Sequence, residues 1–289
     1  MVAMLIATEI SQQVLSGHQS DDRLIELAPA LPSRSRLNRS VGDTRVIIAS
    51  AERMLAYMAI PHTLSIHHRT MAESLAMLRD DGYPVQVWRT RKTDTGEQQE
   101  IVSIDPYDVG LSEIHQVFRR ASGAETDGRD VFDAAEMKAF ELVRQLRNRL
   151  AHQGAMGGPS LKEQWQAARG DGQFDDGQAL WTQMAKRPLA IVPSGQELVV
   201  GSGELFATLA ICKRLEDAAE RELIRILSVE ALADIVAQDY ASRFPHRLAD
   251  EGRLTRRLEG FRKREYPSLR KIEKEDLSWA ATRFKSRQG

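Results

Sequence analysis

Residues 147 to 152 read Arg147-Asn148-Arg149-Leu150-Ala151-His152, and together they hold the side chains that metal-free cleavage of a phosphodiester needs. Arginine presents a permanently charged fork to a phosphate. Histidine can give or take a proton near neutral pH, and asparagine can hold either group in place.

Spacing decides whether these groups can meet. Five residues of helix turn through about 500°, or 140° net, so Arg147 and His152 do not share a face of a regular helix. Asn148 and His152, four apart, do share one, and Arg144 extends the same row. The helix must therefore end or distort at His152, and Gly154, Gly157 and Gly158 follow to allow it. Arg144 is then an auxiliary phosphate contact, and Glu141, one turn earlier, a carboxylate that can orient an arginine. The helix dipole alone favours Arg147, Arg149 and His152 at a C-terminus whatever the protein does. It does not account for Asn148, a weak helix former in the final turns.

The pattern resembles the signature of the HEPN domain superfamily, whose members carry Arg, a polar residue that is often Asn, a short variable spacer and then His. The four residues between Arg147 and His152 fit that spacer. The resemblance rests on this motif and the helical pattern of residues 45 to 230. It implies an all-α fold, a HEPN-like helical bundle decorated by one or two small β-hairpins. It also implies a cytoplasmic, metal-independent endoribonuclease of toxin–antitoxin, phage-defence or RNA-processing type, acting on RNA as a homodimer without a cofactor. Arg147, Asn148 and His152 would be its catalytic residues, with an antitoxin or regulatory protein as a further partner. Many such toxins carry Tyr two positions after the His, where this chain has Gly154, which puts regulation through that tyrosine in doubt. Two readings from other classes stay open: a catalytically silent HEPN-type module that binds RNA or a protein, and a helical DNA-binding protein.

The 289-residue chain suits one principal core with appendages, or two closely packed units, and its 42% hydrophobic content is ample for burial. Its one cysteine, Cys212, forms no intrachain disulfide and points to the cytosol. No run of about 18 apolar residues marks a membrane span. The net charge of -1 conceals an asymmetry: residues 251 to 289 carry 12 Lys/Arg against 6 Asp/Glu, while the remainder carries 28 against 35. A basic tail on an acidic body suits a polyanion, with Arg256, Arg257, Arg262, Lys263 and Arg264 as RNA contacts. Adding Arg253, Arg270 and Lys271 gives the DNA-binding alternative. The competing reading is a mixed-charge helix packed on the acidic body.

Residues 1 to 44 read as a short helix and linker, 45 to 230 as the helical domain, and 231 to 289 as a basic helical extension. Within the domain, Ile47 to Met58 closed by Pro61, and then Met71 to Leu78, predict two helices. Val85 to Trp88 and Ile101 to Ile104 predict a β-hairpin, and Leu189 to Val192 with Leu198 to Val200 a second one. Leu111 to Phe118 predicts a further helix, and the glycines from Gly123 to Gly128 break it. The apolar stripe Phe132, Ala135, Ala139, Leu142, Val143, Leu146 and Leu150 predicts the helix that carries the motif. Residues 153 to 177 predict a loop, and Leu205 to Ile226 another long helix. The Asp171 to Gly177 run resembles a calcium loop, but its central glycine is displaced and its twelfth position is Thr182 where a glutamate is needed. His67 and His68 read as an exposed polar pair without nearby metal partners, and the four tryptophans as scattered anchors.

Overall fold

A computed structural model describes Ser16 and residues 41–93, 96–152, 171–189, 200–245 and 251–286. Among them are eight α-helices, one 3-10 turn and one two-stranded antiparallel sheet, so the fold is mainly helical with a small hairpin. In order these are α1 (Val41–Asp80), β1 (Gln86–Thr93), β2 (Gly96–Ser103), the turn Pro106–Asp108, α2 (Ile114–Ala121), α3 (Ala134–His152), α4 (Asp171–Ala185), α5 (Ser202–Ile226), α6 (Val229–Arg243), α7 (Glu251–Glu265) and α8 (Lys274–Ser286). Among the described residues no helix is long and apolar enough to cross a membrane. The expected leading helix and linker, the Gly-rich segment 153–170, and residues 190–199 of the second expected hairpin lie outside the described residues.

Contacts divide the chain into two compact units, each made of two separated stretches: 1–67 with 133–215, and 68–132 with 216–289. In the first unit, Ile60, Leu64, Leu142, Val143, Leu146, Trp181, Leu205, Ile211 and Leu215 are all at most 1% exposed. Helices α3 and α4 pack closely there. A Cβ on Gly177 would lie 3.0 Å from the Lys138 carbonyl oxygen and 3.2 Å from Leu142, so any side chain there would push the α3 backbone back by a few tenths of an ångström. Lys138 bonds Asp176 at 2.5 Å across the same contact.

In the second unit the hairpin pairs Gln86 with Ser103 and Trp88 with Ile101. Val87 is buried, while Trp88 and Ile101 stay about half exposed on the other face, the alternation expected of a half-buried strand. Side chains from elsewhere in the unit close the helix ends. Asp81 accepts from the backbone nitrogen and hydroxyl of Ser228 at 3.0 and 2.8 Å, and Ser228 caps α6 through Ala231. Lys271 Nζ donates to the carbonyls of Ile224 and Leu227 at 2.7 and 3.1 Å, satisfying groups that the end of α5 leaves open. Helices α6, α7 and α8 pack on one another around Leu232, Val236, Leu258 and Leu277.

Three expectations need correction. The two helices expected on either side of Pro61 are one helix of 40 residues, Val41–Asp80, with the proline inside it. An internal proline costs about 3 kcal/mol. Ala59, Ile60 and Leu64 beside it are at most 1% exposed, and burying a side chain the size of Leu or Ile returns roughly 1.5–3 kcal/mol, which outweighs the break. The helix stops instead at Gly82, whose φ of +92° suits glycine, with Tyr83 N bonding Leu78 O at 2.9 Å. Second, residues 171 to 177 belong to α4 rather than to a loop, and tertiary packing on α3 overrides the poor helix propensity of Gly177. Third, His67 is not an exposed partner of His68. It is fully buried in the middle of α1, its ring 5.1 Å from that of Phe140.

Candidate active site

Helix α3 positions the motif, and its own sequence sets both ends. Asp133 caps the start, its Oδ1 accepting from Ala135 N at 2.8 Å and Glu136 N at 3.1 Å, while the Met137 N–H bonds the Asp133 carbonyl. Ala139, Leu142, Val143 and Leu146 are fully buried, which fixes the helix rotation and turns Arg144 and Asn148 off the apolar stripe. The last residue of the helix is His152. The side chain of His152 lies outside the described residues.

Arg147 and Asn148 are brought together. Arg147 Nη1 donates to Asn148 Oδ1 at 3.1 Å, and both residues are half-buried. This bond joins two of the three motif residues. The Arg147 backbone points away from the row of Asn148 and His152, but its long side chain is tied to Asn148, a residue of that row.

Glu141 organises the turn before. Its carboxylate is 7% exposed and receives the Arg144 fork at two points, Nε at 2.8 Å and Nη2 at 2.5 Å, together with Gln145 Nε2 at 3.0 Å. The hydrogen bonds that Arg144 donates to Glu141 raise the Arg144 pKa, so its charge is locked on and largely balanced. Glu141 therefore orients Arg144 rather than Arg147. Gln145 was missed from sequence, and Arg149 was read there only as a cation that the helix dipole favours. Gln145 was legible as a partner of Glu141, four residues earlier on the same face. Arg149 was not: it is fully buried, and desolvation lowers its pKa, a placement that no local pattern signals.

The basic residues of the C-terminal segment have different surroundings. Arg262, expected to contact RNA, is 9% exposed and donates from Nη1 to the Leu269 carbonyl at 2.9 Å, where it holds the turn after α7. Lys263 bonds Glu259 at 2.6 Å and Arg264 bonds Glu265 at 2.6 Å. Arg256 is exposed and Arg257 half-buried. Of the DNA-binding alternative, Lys271 serves the end of α5, while Arg253 and Arg270 are exposed.

Among the described residues the remaining sequence features gather no further site. His68 Nε2 lies 2.6 Å from the Val109 carbonyl, a structural contact, and among the described residues no three His, Cys, Asp or Glu gather as metal ligands would. Trp181 is buried, whereas Trp88 and Trp279 are exposed and Trp165 lies outside the described residues. Compared with protein-family models, with curated proteins and with solved structures, the chain matches none.

Proposed function

We propose that this chain is a metal-independent endoribonuclease of HEPN type, acting as a homodimer in toxin or defence systems. The observation that carries the reading is the bond between Arg147 and Asn148 on the last turns of a helix whose final residue is His152. In this reading the ribose 2′-hydroxyl attacks the adjacent phosphorus and the bond to the 5′-oxygen of the next nucleotide breaks. The products are a 2′,3′-cyclic phosphate and a 5′-hydroxyl, with no water consumed. His152 takes the proton from the 2′-hydroxyl or supplies one to the leaving 5′-oxygen. Arg147 stabilises the charge growing on the phosphoryl oxygens, and Asn148 aims that guanidinium. Glu141 and Arg144 brace the turn behind them. One histidine can fill only one of the two proton-transfer roles at a time, and a second copy of the motif, related by two-fold symmetry, supplies the other. Arg256 and Arg257 offer the RNA backbone further cationic contacts.

The test is purified protein on total RNA, wild type beside His152→Ala, with and without EDTA. Cleavage that leaves cyclic-phosphate ends, survives EDTA and vanishes in His152→Ala is expected. Activity that needs magnesium, cuts DNA equally well or persists in His152→Ala overturns the assignment. A wild type inactive on every RNA tried moves the reading to a silent module that binds RNA or a protein.

A further inference from the structure

Gly260 stands well inside α7, where glycine is a poor helix former. Gly177 in α4 and Gly203 in α5 have a reason in the fold, since a Cβ on either would come within 3.0 or 3.1 Å of a backbone carbonyl oxygen. Gly260 has none: it is exposed, and a Cβ there would meet nothing within 4 Å. Bare helix backbone of this kind suits a ligand that has to lie close to it.

Gly260 opens into a groove of about 370 Å³ between α6 and α7, lined also by Tyr240, Phe244, Arg257, Phe261 and Arg264. That size falls within the roughly 300–1,000 Å³ of small-ligand sites. Arg257, Gly260 and Arg264 follow one another at intervals of three and four residues and fall within an arc of about 60° of the helix, so one arginine precedes the glycine by a turn and another follows it by a turn. None of the six lining residues is acidic. A second groove of the same unit, of about 420 Å³, is lined instead by Asp80, Asp81, Asp234 and Asp239, so the positive sign belongs to this groove and not to the unit as a whole. The wall is aromatic: the ring of Tyr240 lies 5.2 Å from that of Phe244 and 5.4 Å from that of Phe261. Tyr240 and Phe261 are 3% exposed, whereas Phe244 is half-buried and keeps surface for a contact.

We propose that this groove binds a nucleotide, its phosphate over Gly260 between the guanidinium groups of Arg257 and Arg264 and its base against Phe244. Arginine forks match phosphate oxygens, and the pair that Arg264 makes with its neighbour Glu265 lies at the surface, where a phosphate competes with it. The missing side chain at Gly260 lets the phosphate lie nearer the helix than any other residue would allow. A flat base uses an aromatic wall whatever its sequence. A fatty acid would leave its chain wet in an open groove, and an inorganic anion would leave Phe244 unused. The nucleotide is either free or one residue of single-stranded RNA. In the second case the groove rests on the ribonuclease reading and adds a base contact to it. Binding is therefore measured on a strand with methylated 2′-hydroxyls, which cannot be cut, so the groove and the cleavage can fail separately.

Fluorescence anisotropy of a short, labelled 2′-O-methyl RNA with the full chain should give a dissociation constant in the micromolar range at low salt. Gly260→Leu should raise it by about 10-fold or more by filling the groove. Its thermal midpoint should stay at or above that of the wild type, because leucine is the better helix former and meets nothing there. Phe244→Leu should raise the constant by about 5-fold or more. Arg257→Gln and Arg264→Gln should each reduce the slope of log affinity against log salt by about 0.7. Adenosine monophosphate that displaces the strand at a comparable concentration identifies a free nucleotide as the occupant, and one that does so only at far higher concentration identifies RNA. No binding, a Gly260→Leu chain that binds like the wild type, or inorganic phosphate or oleate displacing the strand as well as the mononucleotide does overturns the proposal.

Discussion

The end of α3 and the C-terminal segment are both crowded with positive charge, and they use it differently. In the C-terminal segment the fold absorbs much of that charge: Arg262 holds a turn, Lys271 closes α5, and Arg283 grips Asp234 through Nη2 at 2.7 Å. Lys263 and Arg264 are balanced by neighbouring glutamates. On α3, Glu141 balances Arg144, and Arg147 donates to the neutral amide of Asn148, a bond that orients the guanidinium. A surplus of cations in a segment therefore does not locate a binding site.

The largest effect should fall on α3. His152→Ala and Arg147→Ala should each lower RNA cleavage by about 10²- to 10⁴-fold while the thermal midpoint stays near that of the wild type. A comparable loss of cleavage from Arg262→Ala, in protein shown to be folded, would erase the contrast between the two regions.

Next in size is a stability effect in the second unit. Arg262→Ala and Lys271→Ala should each destabilise by about 1–3 kcal/mol in urea unfolding, because each leaves helix-end or turn carbonyls without their donor. Cleavage per folded molecule should not change. If stability is untouched, these cations are not structural and become candidates for RNA contact again.

A smaller, pH-dependent contribution comes from Glu222. Arg225, and after it Arg129, hold its carboxyl below the ordinary value of 4.5. A lowered folded pKa means that the unfolded chain takes up the proton first. The stabilisation is therefore complete above about pH 4.5 and is lost as pH falls through the folded value. Glu222→Gln should lower the urea midpoint at pH 7, and the gap from wild type should shrink in acid. A gap that is constant with pH would contradict the ion pair.

The smallest effect is expected at Arg256. Its replacement by alanine should weaken RNA binding modestly and reduce the slope of log affinity against log salt by about 0.7, the share of one phosphate contact on a single strand. An unchanged slope would remove Arg256 from the RNA contacts.

The apolar rows were legible in the sequence because a helix repeats every 3.6 residues and a strand every two, and these periods need no knowledge of the rest of the chain. They set the α3 stripe, the length of α5 and the presence of the β1–β2 hairpin. The Arg147, Asn148 and His152 spacing was equally legible, as was the face shared by Glu141 and Arg144. Only the tertiary structure decided that α1 runs through Pro61, since the burial that offsets a missing hydrogen bond comes from distant parts of the chain. It alone decided that Gly177 sits in a helix, where close approach to α3 matters more than propensity. It also turned Arg149, His67 and Arg262 inward, because a charge count along a sequence carries no information on which side chains meet a remote carbonyl or aromatic ring. A local pattern fixes which residues share a face, and long-range packing fixes what that face meets.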